Sequence, residues 1–145
     1  AEKPTSIFMK ETEYSAQVRD KIDQPGGVFE LRTYVTKPDM LARLNQRFQN
    51  HTAALFNQHG MKNVGYWTPF DTPDSANTLI YLIHHANRMQ ADANWKAFSA
   101  DPAWQEARRK SESDGKILAR SPERIFLRAI DFSPNTRVRS AGERK

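Results

Sequence analysis

The order of apolar and polar side chains predicts a strand, an amphipathic helix and a second strand within residues 28–67. In the first strand, Val28 to Val35, successive side chains alternate between two faces. One face carries Phe29, Leu31, Thr33 and Val35, and the other carries Glu30, Arg32 and Tyr34. Both faces of this strand therefore hold large side chains.

A helix is predicted to follow, with Pro38 in its first turn, where the missing N–H costs nothing. Its predicted buried stripe recurs at spacings of three and four residues: Leu41, Leu44, Phe48, His51, Leu55 and His59. Gly60 comes next, at a place that suits a left-handed C-cap. An extended segment resumes from Val64 to Trp67.

The rest of the chain predicts two more strands, separated by a helix that is broken in two. Thr78 to His85 is apolar on both faces, as in a central strand, and Arg124 to Phe132 alternates again. Between them, Asn87 can cap one helix, and Asp101 followed by Pro102 can start another. The order βαββαβ with right-handed crossovers predicts an α+β, ferredoxin-like fold, whose four-stranded antiparallel sheet has helices on one face.

The second face of this sheet favours self-association. One layer of helices covers only one face, and monomers rarely leave large apolar patches in water. A second copy packed sheet against sheet would give a homodimeric barrel with twofold symmetry. The alternative is that the termini of the same chain cover the face.

Four segments of the chain together are specific to one known family: ELRTY at 30–34 followed by Lys37-Pro38, NHTAALFNQHGMKNVGYW at 50–67, NTLIYLI at 77–83 and WKAFSADPAW at 95–104. In these segments the chain resembles the NIPSNAP family, a branch of the dimeric α+β barrel superfamily. The resemblance covers about residues 28–133 and implies a ferredoxin-like protomer, a dimeric barrel and a pocket between sheet and helices. It implies no known reaction. Asp39 stands where many relatives have glycine.

Related superfamily members include cofactor-independent monooxygenases and haem-degrading proteins. NIPSNAP proteins themselves are better known for association with mitochondria, vesicles and protein partners.

Residues 4–15 repeat the pattern of residues 122–133 at a constant offset of 118. NIPSNAP proteins often carry two tandem domains, so one interpretation makes Ile7 to Tyr14 the closing strand of an upstream domain. The other is an extra edge strand that matches by chance. We therefore divide the chain into an N-terminal extension at 1–27, a NIPSNAP-like domain at 28–133 and a basic, disordered tail at 134–145.

Composition narrows the function classes. Hydrophobic residues make up 38% and charged residues 27%, as in a soluble protein, and no segment is apolar enough to span a membrane. An export signal would have been removed before Ala1, so cytoplasmic and exported locations both stay open. The chain has no cysteine, which excludes disulfides and thiol catalysis. The net charge of +5 arises at the C-terminal end, and a basic tail without presented aromatics argues against nucleic-acid binding.

The histidines His51 and His84 are the candidate catalytic residues. His51 is predicted on the buried stripe, and if it faces a cavity it can act as a base. The alternative is that His51 is a core residue whose ring is hydrogen-bonded to a neighbouring group. His84 and His85 end a strand on opposite faces, so only one of them can face a given pocket. No metal site is predicted, because no two histidines are spaced i, i+4 with a carboxylate beside them.

The candidate ligand-binding residues combine aromatic walls with one buried cation: Arg32, Tyr34, His51, Tyr66, Trp67 and Trp95. A buried Arg32 must have a partner. In a structural role the partner is Glu30 or Asp131, and in a functional role it is an anionic ligand. No nucleophile with a base, phosphate loop or carboxylate pair is present.

We therefore expect a non-enzymatic, NIPSNAP-like homodimer that binds a small apolar or aromatic ligand without a cofactor. One alternative is a cofactor-independent monooxygenase or haem-handling protein that uses His51 or His84. The other is an assembly or adaptor protein.

Overall fold

A computed structural model describes residues 6–23 and 26–128 of the chain. Its strands are β1 (Met9–Glu11), β2 (Val28–Val35), β3 (Lys62–Pro69), β4 (Thr78–His85) and β5 (Glu123–Arg128). Its α-helices are α1 (Ser15–Val18), α2 (Leu41–Arg47), α3 (Ala53–Gln58), α4 (Arg88–Ala100) and α5 (Pro102–Ser111). A π-helical segment (Phe48–Thr52) joins α2 to α3, and a 3-10 turn (Ser75–Asn77) precedes β4.

The strands form one antiparallel sheet in the order β1-β3-β4-β2-β5. Its β3-β4-β2-β5 portion is the predicted ferredoxin-like sheet. The predicted number of four strands was wrong, because β1 adds a fifth at the outer edge of β3, with Lys10 opposite Thr68. The assignment of residues 1–27 to the end of an upstream domain stays a prediction.

The first long helix departs from its predicted stripe at both its start and its middle. Pro38 and Asp39 lie in a turn, and α2 begins only at Leu41. Asp39 has φ 66°, a left-handed conformation that glycine adopts without strain. The π-helical turn carries one extra residue. The next buried side chain after Phe48 is therefore Thr52, and not His51 as predicted.

The helix termini follow the sequence signals. Gly60 has φ 81° and ends the first helical region, as predicted. Asn87 Oδ1 accepts a 2.7 Å hydrogen bond from the Gln90 amide at the start of α4. Asp101 Oδ1 accepts one of 2.8 Å from the Ala103 amide at the start of α5. Both predicted N-caps are confirmed, and each satisfies a backbone donor that would otherwise lack a partner.

The helices cover one face of the sheet and enclose an aromatic core. Phe48 packs against Tyr81 and Tyr66, with ring centroids 5.1 and 5.3 Å apart. Phe56 packs against Phe98 of α4 at 5.0 Å. These contacts hold α2, α3 and α4 over β3 and β4, and they leave the space between α2 and α5 to be lined by the same rings.

The opposite face of the sheet carries apolar side chains with no helix over them. Ile125 and Leu127 of β5 are 56% and 46% exposed, beside Leu31 and Phe29 of β2. Trp67 of β3 lies opposite Ile80 of β4 on this same face. The predicted end of the last strand at 129–132 and the predicted tail at 134–145 lie outside the described residues. None of the described helices combines the length and apolarity that crossing a bilayer requires.

Candidate functional site

A chain of hydrogen-bonded polar side chains runs along β2, on the face that the helices cover. Arg32 Nη1 donates to Glu30 Oε2 over 2.9 Å, and Arg32 Nη2 donates to the Tyr34 hydroxyl over 3.2 Å. The Tyr34 hydroxyl lies 2.9 Å from that of Tyr81. The Arg32 guanidinium also stacks on the indole of Trp95, 4.2 Å from the ring centroid. Arg32 is therefore paired with Glu30, the structural one of its two predicted roles.

Glu30 is the centre of this chain and is fully buried. Its Oε1 lies 2.8 Å from His85 Nε2 and accepts a 2.8 Å bond from Trp95 Nε1. Its Oε2 also lies 3.2 Å from Arg124 Nε of β5. Burial alone would raise the pKa of this carboxyl, but the bonds from His85, Trp95 and Arg32 together outweigh burial and lower the pKa to about 2. Glu30 is thus an anion near neutral pH.

Tyr34, at the other end of the chain, forms part of the wall of a cavity of about 450 Å³. The cavity lies between the sheet, the helices α2 and α5, and the segment 116–122. Aromatic rings make much of its wall, namely Tyr34, Phe48, Phe56, Phe98 and Trp104. Polar and charged side chains complete it, namely Arg47, Thr52, Arg108, Glu112, Lys116, Arg120 and Ser121. A concave space of this volume, with aromatic walls and converging polar groups, is typical of a small-molecule site.

A second, more open cleft of about 410 Å³ lies on the outer side of α2, against α5. His51 lines it together with Arg43, Arg47 and Lys110. The prediction that His51 lies on the buried stripe was wrong, because the π-helical turn rotates it outward and its side chain is exposed. Only Arg47 is shared by the cleft and the cavity among the residues that line them.

The structure brings together only part of the predicted ligand-binding set. Tyr34 lines the cavity and Arg32 lies directly behind it. Tyr66 is fully buried in the core, and Trp95 covers the Glu30–Arg32 pair. Trp67 lies on the opposite face of the sheet from the cavity, with its ring over Gly65.

His84 also lies on the face of the sheet that is away from the cavity. Its Nε2 is bonded to the Gly26 carbonyl at 2.7 Å, and burial lowers the pKa of the ring. Histidine is absent from the described cavity wall, so the described wall does not hold the His51 or His84 ligand that the haem-handling alternative expects. Within residues 6–23 and 26–128, no three His, Asp or Glu side chains are grouped as metal ligands.

Sequence reasoning missed Arg47 and the segment 116–122. Arg47 follows Leu44 by three residues, and a charged residue at a position of the buried stripe was a signal for it. The segment 116–122 has no helical or strand period, so its place at the cavity follows only from tertiary structure.

The family model for NIPSNAP matches residues 29–134, most of the chain. The chain belongs to the NIPSNAP family. The predicted resemblance is therefore confirmed, and the ELRTY motif of this NIPSNAP domain supplies Glu30, Arg32 and Tyr34 of the buried polar chain. A search among curated proteins found no match.

Solved structures of other NIPSNAP proteins share the fold. An uncharacterized NIPSNAP-like domain protein from Burkholderia xenovorans is 23% identical, with a TM-score of 0.62, over 74% of this chain and 88% of that one. A NIPSNAP family protein of unknown function from Agrobacterium tumefaciens strain C58 is 17% identical, with a TM-score of 0.61, over 80% and 99%. A proposed monooxygenase from Lactobacillus acidophilus NCFM is 18% identical, with a TM-score of 0.52, over 74% and 46%. At these identities, the likeness is one of fold alone.

Proposed function

We propose that this NIPSNAP domain is a homodimeric, non-enzymatic binding protein that takes a small apolar or aromatic molecule into the cavity between α2, α5 and the sheet. The observation that carries the proposal is the set of five aromatic side chains around about 450 Å³ of space. Aromatic rings bind planar ligands through burial and through offset or edge contacts.

The neighbours of the cavity also support binding without chemistry. Thr52 donates its hydroxyl hydrogen to the Arg47 carbonyl over 3.3 Å, and Tyr34 is held by Arg32 and Tyr81. In the described wall, no hydroxyl has a histidine beside it that would make it a nucleophile. The bonds with Arg32 and Tyr81 hold the side chain of Tyr34 in a fixed position in the cavity wall.

Filling the mouth of the cavity tests the proposed site. Ala119 lines the cavity, is exposed, and keeps its backbone bond to the Val35 carbonyl (2.8 Å) whatever its side chain. We expect Ala119→Phe to weaken binding of the neutral probe N-phenyl-1-naphthylamine by about tenfold, which is roughly the effect of displacing one well-buried ring. The measurement is the rise in probe fluorescence on titration with protein.

Ala103→Phe is the matched control, because Ala103 is exposed on α5 and does not line the cavity. It should leave the affinity for the probe unchanged within twofold. If the wild-type protein fails to bind the probe, or if Ala119→Phe binds it as well as Ala103→Phe does, the proposed site is wrong.

The dimer is proposed through the uncovered sheet face. Ile125 and Leu127 are exposed on β5 beside Leu31 of β2, which is half-buried, and Phe29, which is buried, so apolar side chains are continuous across the two strands. A second copy that presents the same surface would bury Ile125, Leu127 and the exposed part of Leu31 in a symmetric contact.

Placing a negative charge on this apolar face should separate the protomers. We expect the wild-type protein to sediment as a dimer at micromolar concentration, and Leu127→Glu to sediment as a monomer, because burying an unpaired carboxylate is costly. Met89→Glu is the control, since Met89 is 82% exposed on α4, away from this face, and should remain dimeric. A folded wild-type monomer at that concentration would refute the dimer.

A further inference from the structure

Arg47 has an environment that is unusual for a guanidinium. It is only 6% exposed, and its Nη1 donates to Ser111 Oγ over 2.9 Å. The guanidinium lies 4.9 Å from the centroid of the Trp104 ring. Its Nε is buried and has no hydrogen-bond partner within the described part of the chain. Because a guanidinium offers five donors, Arg47 retains unused capacity for an acceptor.

Glu112 is the carboxylate that pairs with Arg47 in the described part of the chain, and it is shared too widely to neutralise this region. Glu112 Oε2 lies 3.6 Å from Arg47 Nη1 and accepts a 3.3 Å bond from the Ile117 amide. Glu112 Oε1 accepts a 3.3 Å bond from Arg108 Nε. A single negative charge therefore serves two guanidinium groups and one backbone N–H.

The cavity wall as a whole carries excess positive charge. The basic side chains that line it are Arg47, Arg108, Lys116 and Arg120, and the acidic one is Glu112. Among the described residues, the acid paired with Arg120 is the exposed Asp74, whose Oδ2 lies 3.9 Å from Arg120 Nη2 and which does not line the cavity. In a partly enclosed, apolar space such an imbalance attracts an anion more strongly than it would in open water.

We propose that the cavity selects amphipathic anions, with the aromatic or apolar body of the ligand against the rings and its carboxylate, sulfonate or phosphate group at Arg47. This inference rests on the proposed function, since it names the ligand class of the same cavity. Lys116 and Arg120, on the segment 116–122, supply further positive charge around the bound anion.

Two probes with the same ring system distinguish selective binding of anions from binding of any small aromatic molecule. N-phenyl-1-naphthylamine is neutral, and 8-anilinonaphthalene-1-sulfonate adds one sulfonate to the same skeleton. We expect the wild-type protein to bind the sulfonate at least tenfold more tightly at low ionic strength. This preference should shrink as salt is added, because screening weakens the charge attraction.

Variants locate the source of the preference. Arg47→Met keeps the length and apolar stem of the side chain, and it should bring the ratio of the two affinities close to one while the neutral probe still binds. Since Arg47 is buried and could be needed for folding, the double variant Lys116→Gln/Arg120→Gln gives a second test at exposed positions and should reduce the ratio at least threefold. Lys96→Gln removes a charge from the exposed side of α4 and should leave the ratio unchanged.

The outcomes are distinguishable. If neither probe binds, or if Ala119→Phe binds both as the wild type does, the proposed binding function fails, and the inference fails with it. If the neutral probe binds and the sulfonate binds no more tightly, the cavity site stands and anion selection is wrong. Anion selection is also overturned if the preference survives in both Arg47→Met and the double variant.

Discussion

Glu30→Ala is expected to lower the free energy of unfolding by about 3–5 kcal/mol, the usual cost of breaking a buried ion pair by removing one partner. The change leaves Arg32, His85 and the Trp95 N–H without their shared, fully buried acceptor. It also removes the group that holds Arg32 against Tyr34, so the Tyr34 side chain in the cavity wall loses part of its support. Urea denaturation at pH 7, followed by circular dichroism, measures the effect.

The pH dependence of stability provides a second readout for the same carboxyl. The folded pKa of Glu30 is lowered to about 2, below the unfolded value near 4.5, so its stabilising contribution is fully present above about pH 4.5. That contribution is lost as the pH falls from 4.5 towards 2, and it amounts to about 3 kcal/mol from the shift in pKa. Glu30→Gln removes the titrating group, so the stability gap between wild type and Glu30→Gln should narrow across this window.

Glu106 provides the control for Glu30. It pairs with Arg109 on the exposed surface of α5, and Glu106→Gln should change stability by less than about 1 kcal/mol at any pH. A gap between wild type and Glu30→Gln that stays constant from pH 6 to pH 2.5 would contradict the assigned ionisation. A Glu30→Ala protein as stable as wild type would contradict the role of the buried chain.

Gly27→Ala is expected to destabilise the protein by about 2–5 kcal/mol, through two causes that add. Gly27 has φ 81°, where a side chain costs about 1–2 kcal/mol. A Cβ at this position would also lie 2.5 Å from the His85 carbonyl oxygen and 2.6 Å from His84 Nε2. The backbone of β4 cannot move aside without disturbing the pairing of His85 with Glu30, so the overlap adds about 1–3 kcal/mol more.

Gly26→Ala separates the two causes. Gly26 has φ 80°, but a Cβ there meets nothing within 4 Å, so this variant should cost only the backbone strain of about 1–2 kcal/mol. Thermal denaturation of the two variants side by side measures the difference. Equal melting temperatures would show that β4 yields easily at His85 and that the close approach is unimportant.

Much of the fold follows from short-range patterns in the sequence. Alternation in Val28 to Val35 sorts Glu30, Arg32 and Tyr34 onto the same face, and the structure places them there. Asn87, Asp101 and Gly60 act as the helix boundaries that their chemistry predicts. These features depend on a few neighbouring residues, which is why one sequence suffices to predict them.

The site was less predictable because it depends on a change of period and on distant packing. The extra residue of the π-helical turn moves His51 out of the stripe and Thr52 into it, and a regular 3.6-residue period cannot anticipate this shift. Arg47 becomes a cavity residue because α5 brings Trp104 and Glu112 to it from about sixty residues away. The sequence alone identifies these residue types, but it does not show that they lie in contact.

The short strand β1 has a further consequence for the outer edge of β3. An unpaired edge strand presents free N–H and C=O groups that can template aggregation with another chain. β1 pairs with the end of β3, from Trp67 to Pro69, and has only three residues, two of which are the charged Lys10 and Glu11. Charged, very short edge strands are a common way in which proteins discourage further strand addition. By this principle, the short and charged β1 makes addition of another strand at this edge of the sheet unfavourable.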